Sequence, residues 1–581
     1  MVNKEEFKPL YRFLKFIFPY RGKWFLILIL GNATAILSLF NPYLAKLAID
    51  EVIGRKDLRS LVLIGLTGAG LFLFNNLVNN VKESLEEYIN KKVHFDLNRE
   101  LFEHIHRLSL SWFRNKTTGD HLYLIGNDVG AVTAFVTGTL PGALWIIPRL
   151  LITLTIVFYL NWKMALASFI LASFLYIPAY FFSKKIEKIR EEIVTKSQDA
   201  FKMLEESFSH IHLIKAFGKE AAAVNKYLNS LTVNTGIDMK SNRLARMGGF
   251  VNELSAKIII GLIGLYGGYQ VIKGNMSVGS LTAIVAYLYT LIDLQVNLAG
   301  FLQGLKMNSF SCRRISEILD EKPQIVEAKN VKIVSFKKGE IVFDKVSFGY
   351  RPEKRIIENL YFRISGASHI AIAAPSGRGK TTILNLLVRL YDPLKGRILI
   401  DGHNIRDLSF SSLKGQIGFA LQEPLLWNDS IENNIGYGKD DADMEDIIRV
   451  ARMTGVDEFT DGLANGLRTI VGENACKLSE GQKQKISIAR ALIRDPKILI
   501  LDEAMSSMDS ASEEKIIANI KENQTGTTII TVSHRLSTVM SADLVYYFYK
   551  PDEMIVGRAE NLFEINKEFA GLFSGQDKIP V

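Results

Sequence analysis

Residues 373–382 read A-A-P-S-G-R-G-K-T-T, after an apolar run and before Ile383, Leu384, Leu386 and Leu387 at helical spacing. In a strand, glycine-rich loop, helix arrangement, the backbone N–H groups of Gly377, Arg378, Gly379 and Lys380 point into one concavity, where the helix N-terminus adds positive partial charge. A triphosphate fits there. Lys380 is placed to reach the β and γ phosphates and the Thr381 hydroxyl to hold Mg²⁺, with Ser376 and Thr382 completing the expected contacts. One position departs: the pattern G-x-x-x-x-G-K-[ST] asks for glycine where Ala374 stands. If that position required φ > 0, the methyl would cost about 1 kcal/mol, so either the backbone angle suits alanine or the loop is slightly loosened.

About 120 residues further on, residues 498–503 read I-L-I-L-D-E, an apolar strand ending in two carboxylates. Side chains alternate along a strand, so the two cannot do one job. Asp502 suits a magnesium shell, and Glu503 suits a general base that orients an attacking water. Between cradle and carboxylates lies L-S-E-G-Q at 478–482, opening an apolar-periodic helix. Ser479 and Gly481 stand at its N-terminal end, a second anion-binding terminus in the same domain. Two such termini for one nucleotide suggest two copies sharing the work.

The elements that must carry these residues fall into two classes. From Ile341 onward, short apolar strands alternate with helical segments, as in a soluble α/β domain. The first half is different. Apolar residues gather there in six runs near 24–48, 61–78, 132–160, 164–182, 250–272 and 280–305, each close to the length of about 20 residues that a bilayer requires. The linkers after runs one, three and five are short, whereas those after two and four are long, charged and helical in period, and are expected to face the cytoplasm. Their turning points, Trp112 and Phe113 with Thr118, Gly119 and Asp120, and then residues 214–220, are expected to dock on a soluble domain. An amphipathic helix at 7–20 precedes the first run. Within the runs, Arg149 and Asp293 stand out as ionisable residues, beside Gln295, Asn297 and Asn41, and face a bundle interior or water on a substrate pathway or as structural groups.

At 581 residues the chain exceeds one ordinary core. A formal charge of +9 could indicate nucleic acid, but Lys15, Arg21, Lys23, Lys184 and Lys185 flank apolar runs, and the positive-inside rule accounts for them, so no nucleic-acid partner is expected. Cys312 and Cys476 are far apart and support neither a disulfide framework nor a zinc site. No removable signal peptide and no internal repeat is read.

The pentapeptide at 478–482 resembles the L-S-G-G-Q signature of the ATP-binding cassette (ABC) family, with Glu480 as the departure. The resemblance extends from 341 to about 573. It implies that Tyr350 stacks adenine, that Gln422 contacts Mg²⁺ or water, and that residues 469–473, T-I-V-G-E, touch the coupling tips. It further implies that Ser507, Met508 and Asp509 cross a dimer, that His534 contacts the γ-phosphate, and that Gln482 closes the signature. The first half resembles the family's exporters, in which six spans precede the cassette and the two turning points are coupling helices.

The implied fold is therefore multi-domain: an all-α polytopic membrane domain followed by an α/β P-loop NTPase domain of ABC type. Boundaries are expected at 1–22 for an elbow helix, 23–310 for the membrane domain with coupling turns near 112–120 and 212–220, 311–340 for a linker, and 341–581 for the cassette. The implied function is ATP-hydrolysing export of a hydrophobic, amphiphilic, lipid or peptide substrate by alternating access. Glu503, His534 and Gln422 are the catalytic set, and Thr381, Gln422 and Asp502 the magnesium set. The expected cofactors are ATP and Mg²⁺. The expected setting is a bacterial plasma membrane with the cassette cytoplasmic. A second half-transporter is the implied partner, a homodimer being favoured over a heterodimer in which this chain is the catalytic half. An ATP-gated channel or a regulatory subunit is the alternative on the same scaffold; a soluble DNA-maintenance ATPase has no use for six apolar spans.

Overall fold

Leu58–Arg107 is a single helix of 50 residues, about 75 Å at 1.5 Å per residue, against a hydrocarbon core of about 30 Å. Asp57 starts it by accepting the backbone N–H groups of Arg59 and Ser60 at 3.0 and 3.3 Å. Its sequence changes character along its length. Leu63, Leu66, Phe72, Phe74 and Leu77 are exposed on the first half, as suits lipid. In the second half Ile89, Val93, Leu97, Leu101 and Ile105, spaced by four, are buried with Leu10, Phe13, Val129, Val132, Cys312 and Ile315. The first half of the helix therefore suits lipid, and the second half is a packed rod.

The computed structural model describes residues 10–114, 119, 124–173, 176–328, 330–351, 353–375 and 377–574. It divides into two compact units, Met1–Lys322 and Pro323–Val581. In the first, five helical stretches are long and apolar enough to cross a membrane among the described residues: Leu10–Ile53, Leu58–Arg107, Leu124–Leu160, Glu220–Ile272 and Val278–Leu298. The expected span at 164–182 crosses residues 174 and 175, outside the described residues, and is flanked by helices Trp162–Ser173 and Tyr176–Ser209. Of the two turning points, the first holds helix Leu110–Arg114, with the rings of Trp112 and Phe113 edge to face at 5.1 Å; Thr118 and Asp120 lie outside the described residues. The second holds helix Ile211–Ala216, with Ile211, Leu213 and Phe217 exposed.

The last helix, Val278–Asp320, runs past the expected boundary at 310, because Cys312, Ile315 and Ile318 keep its apolar face packed. The stretch expected as linker up to 340 is likewise partly built in. Phe336 is buried with the strands of the second unit, and its N–H donates to Gln416 Oε1 at 2.6 Å.

The second unit holds two sheets. Strands β1 (Ile341–Phe348), β2 (Ile357–Ile364), β4 (Lys395–Ile400) and β5 (His403–Asn404) form an antiparallel sheet in the order β2-β1-β4-β5. Strands β3 (His369–Ala373), β6 (Ile417–Ala420), β7 (Ile498–Asp502), β8 (Thr528–Val532), β9 (Leu544–Lys550) and β10 (Glu553–Gly557) form the other, in the order β10-β9-β3-β8-β7-β6. Every neighbouring pair from β9 to β6 is parallel. Strands β3, β7 and β8 are buried at every residue, the mark of a sheet covered on both faces. Sites in such sheets form beyond the C-terminal ends of the strands. Here β3 ends at Ala373, β8 at Val532, β7 at Asp502 and β6 at Ala420, which places the segments carrying Lys380, His534, Glu503 and Gln422 side by side in that order.

Candidate nucleotide site

The glycine-rich turn owes its shape to two residues. Gly377 and Gly379 take φ of +76° and +105°, and a Cβ on Gly379 would lie 2.7 Å from Ile356 Cγ2. Only glycine fits the second position. Helix Lys380–Leu387 follows, with Ile383, Leu384, Leu386 and Leu387 buried against the sheet. Ala374 is not among the described non-glycine residues with positive φ, and its methyl is 1% exposed within the core. The tolerated backbone angle, rather than a loosened loop, accommodates it. Ser376 lies outside the described residues.

The side chains at the strand ends form a continuous polar chain. Lys380 Nζ donates to Ala374 O at 3.0 Å and lies 2.7 Å from His534 Nε2. That nitrogen is 3.1 Å from Glu503 Oε1, and Gln422 Nε2 donates to Glu503 Oε2 at 2.8 Å. His534 Nε2 thus sits between an ammonium donor and a carboxylate acceptor, and its protonation decides which it bonds. Glu503 takes φ of +50°, a left-handed angle unfavourable to a side chain of its size, with its N–H fixed to Val532 O at 3.0 Å.

Asp502, by contrast, is buried. Burial first, and then the Glu503 charge, push its carboxyl up to about 6, against Lys380 and a hydrogen bond from Thr381. Burial likewise holds the Lys380 ammonium below its ordinary range, opposed by Glu503 and Asp502. A buried carboxylate bonded to a hydroxyl supplies hard oxygen donors of the kind Mg²⁺ uses, so Asp502 and Thr381 fit that ion, with Gln422 on the neighbouring strand end bonded to Glu503. Tyr350 is 41% exposed and stands edge-on to Phe348 and Tyr391. Its hydroxyl lies 3.2 Å from Thr382 Oγ1, and Thr382 is buried.

The residues at 479–482 are held by a separate set of contacts. Ser479 caps helix Glu480–Leu492 in a capping box: Gln482 N donates to Ser479 Oγ at 3.3 Å and Ser479 N to Gln482 Oε1 at 2.9 Å. A Cβ on Gly481 would be 3.3 Å from Ser507 O. Two residues given no role from sequence fasten this helix to the strand ends. Gln484, 2% exposed, accepts Ser507 N at 3.0 Å and donates to Ser506 Oγ at 3.1 Å. Arg535 donates to Met508 O at 2.5 Å and Ser506 O at 2.6 Å. The loop 506–508 is thereby tied on one side to the helix after Ser479 and on the other to the residue following His534. The only sequence signal for Arg535 was its place in S-H-R, and Gln484 had none beyond its place on an apolar-periodic helix. Asp509 caps the next helix, accepting Ser512 N at 2.9 Å.

The family model described as the ABC transporter transmembrane region matches residues 24–294, and the ABC transporter model matches residues 357–506. The chain is 32% identical over 579 residues to the ATP-dependent lipid A-core flippase of Desulfotalea psychrophila, covering 99% of this chain and 100% of that one. It is 30% identical to a putative multidrug export ATP-binding/permease protein of Staphylococcus aureus, over 97% and 99% of the two chains. Among solved structures, a bacterial Atm1-family ABC exporter with ATP bound superposes with a TM-score of 0.85 at 25% identity, covering 97% of this chain and 99% of that one. With a helical membrane unit and an ATPase cassette on one polypeptide, this chain belongs to the ABC transporter family as a half-transporter exporter that couples ATP hydrolysis to transport.

Proposed function

We propose that the chain of contacts from Lys380 through His534 and Glu503 to Gln422 is the hydrolytic centre of an exporter working as a homodimer. The observation that carries this reading is the adjacency of those four side chains at four neighbouring strand ends. Lys380 and the N–H groups of residues 377–380 bind the β and γ phosphates, and the ring of Tyr350 supports adenine. Glu503 orients and deprotonates the attacking water, held in place by Gln422, and His534 contacts the γ-phosphate. Asp502, Thr381 and Gln422 would hold Mg²⁺, which supplies charge neutralisation on the phosphates. Ser479 and Gly481 of a second copy complete the site, since their helix terminus is a second phosphate-binding end with no role in its own chain's cluster.

The transported substrate is an amphiphile of lipid, peptide or small-molecule type, moved out of the cytoplasm or the inner leaflet of a bacterial plasma membrane by alternating access. Helices Leu140–Leu160 and Val278–Asp320 run antiparallel. Asp128, twelve residues before the first and in the same helical stretch Leu124–Leu160, accepts from Ser311 and Arg314, and Gly304 lies beside Thr139. Continued along the helices, that register brings Arg149 to the height of Asp293 and Asn297, which are exposed and bonded to each other at 3.1 Å, and this supports a polar position on the substrate path. Relatives whose names specify a lipid A-core flippase and a putative multidrug exporter support the same class.

Glu503→Gln tests the centre. Turnover is expected to fall at least about 100-fold while ATP binding is retained, because the amide keeps the bond to Gln422 but cannot take a proton. Steady hydrolysis near the parental rate would refute the assignment.

A further inference from the structure

Position 480 is where this chain departs from the signature it resembles, and the structure supplies that departure with a partner. Glu480 is the first residue of helix Glu480–Leu492, directly after the Ser479 cap. Its carboxylate is half exposed and lies 3.2 Å from Lys483 Nζ, itself only 18% exposed. We propose that Glu480 is an electrostatic brake on nucleotide-driven closure of two cassettes, partly released by Lys483, and that the pair sets the ATP concentration at which the transporter turns over. The inference rests on the reading that Ser479 and Gly481 of one chain meet the terminal phosphate of a nucleotide held by a second copy.

The physical case has three steps. A helix N-terminus carries about half a positive charge, and that charge draws a phosphate to it. A carboxylate on the first residue overturns this sign, which steadies the isolated helix but sets like charge against an approaching polyphosphate. Lys483, one turn along on the same face, cancels the carboxylate in part, so the phosphate meets a nearly neutral surface instead of a positive one. The surface cannot move aside to avoid the charge. The capping box fixes Ser479, and Gly481 sits close to the Ser507 carbonyl, where an added Cβ would lie a tight 3.3 Å from the oxygen. Glu480 is therefore a specificity-determining residue acting on phosphate through the field, and Lys483 a positioning and neutralising one.

The test measures ATPase activity of the full-length transporter in lipid nanodiscs against ATP concentration, at 50 and 500 mM KCl. Glu480→Gln, which keeps size and helix position, is expected to lower the half-saturating ATP concentration about three- to tenfold at 50 mM KCl, and clearly less at 500 mM, where the field is screened. Lys483→Met is expected to raise it by a similar factor in the parental chain and to change it less than twofold when combined with Glu480→Gln, with Lys483→Arg restoring the parental value. Ser479→Arg serves as the control for the underlying two-chain site and is expected to abolish turnover. An inactive Ser479→Arg together with an unshifted Glu480→Gln would overturn the brake and leave the two-chain site standing. Parental turnover by Ser479→Arg would overturn the two-chain site and the brake with it.

Discussion

Ala374, Glu503 and His369 carry side chains in places where neighbouring residues leave little choice. At Ala374 the methyl is in the core and φ is not positive, so glycine would remove packing and add chain entropy without relieving strain. Ala374→Gly is expected to destabilise the protein by about 1 kcal/mol and leave ATP affinity unchanged, as read by thermal melting and nucleotide titration. Glu503 is the reverse case, a side chain kept at φ +50° beside the site, and nothing in I-L-I-L-D-E announces that angle. His369 on β3 is buried, with Nε2 2.9 Å from Thr531 Oγ1. Burial first, then the Lys521 charge, hold its imidazole down at about 4 from an ordinary 6.5, against Asp543. The folded chain thus takes up this proton less readily than the unfolded chain. The associated stability is present above the unfolded value near 6.5 and drains as pH falls toward about 4, amounting to about 2 kcal/mol by pH 5. His369→Gln should flatten the fall in Tm between pH 7.5 and 5.0. An equal fall in both proteins would contradict the assignment.

Elements explain which parts of the site could be read in advance. The cradle and the D-E pair are local strings, so Lys380, Asp502 and Glu503 were legible from neighbours in sequence, whereas His534 in S-H-R was legible only through the family resemblance. Their adjacency was not, because it depends on the order β3-β8-β7-β6, a crossover arrangement with no local sign. The same limit hid the bracing of loop 506–508 by Gln484 and Arg535, whose partners lie more than twenty residues away. The helix ends at 310 and 320 show a further limit: polar composition suggested a linker where one apolar stripe, Cys312, Ile315 and Ile318, continues the helix. In the helical unit, Asp128 is buried and its Oδ1 accepts from Arg314 Nη2 at 2.5 Å and Ser311 Oγ at 2.8 Å, joining two helices. Arg314→Leu leaves that charge buried without its cation and is expected to cost about 3 kcal/mol, seen as a lowered Tm. Adding Asp128→Asn should recover part of the loss, since the uncompensated charge is then gone; no recovery would mean that the arginine acts through packing alone.

For the whole molecule, the cassette and the helical unit have meaning only as coupled parts. A nucleotide can favour one conformation over another only by binding it more tightly, and in the proposed dimer the second chain's Ser479 and Gly481 supply that difference. In that proposed dimer, the helices of 50 and 53 residues are the elements long enough to carry such a closure toward the membrane-spanning residues. The most direct measurement of the central claim is transport itself, in sealed proteoliposomes with the cassettes outward, loaded with a fluorescent amphiphile at equal concentration on both sides. With ATP and Mg²⁺ outside, the expected result is accumulation in the lumen above the external concentration, absent with Glu503→Gln. No accumulation from equal concentrations, with an imposed gradient dissipated whenever ATP is bound in the parental chain and in Glu503→Gln alike, would make this an ATP-gated channel and contradict the account.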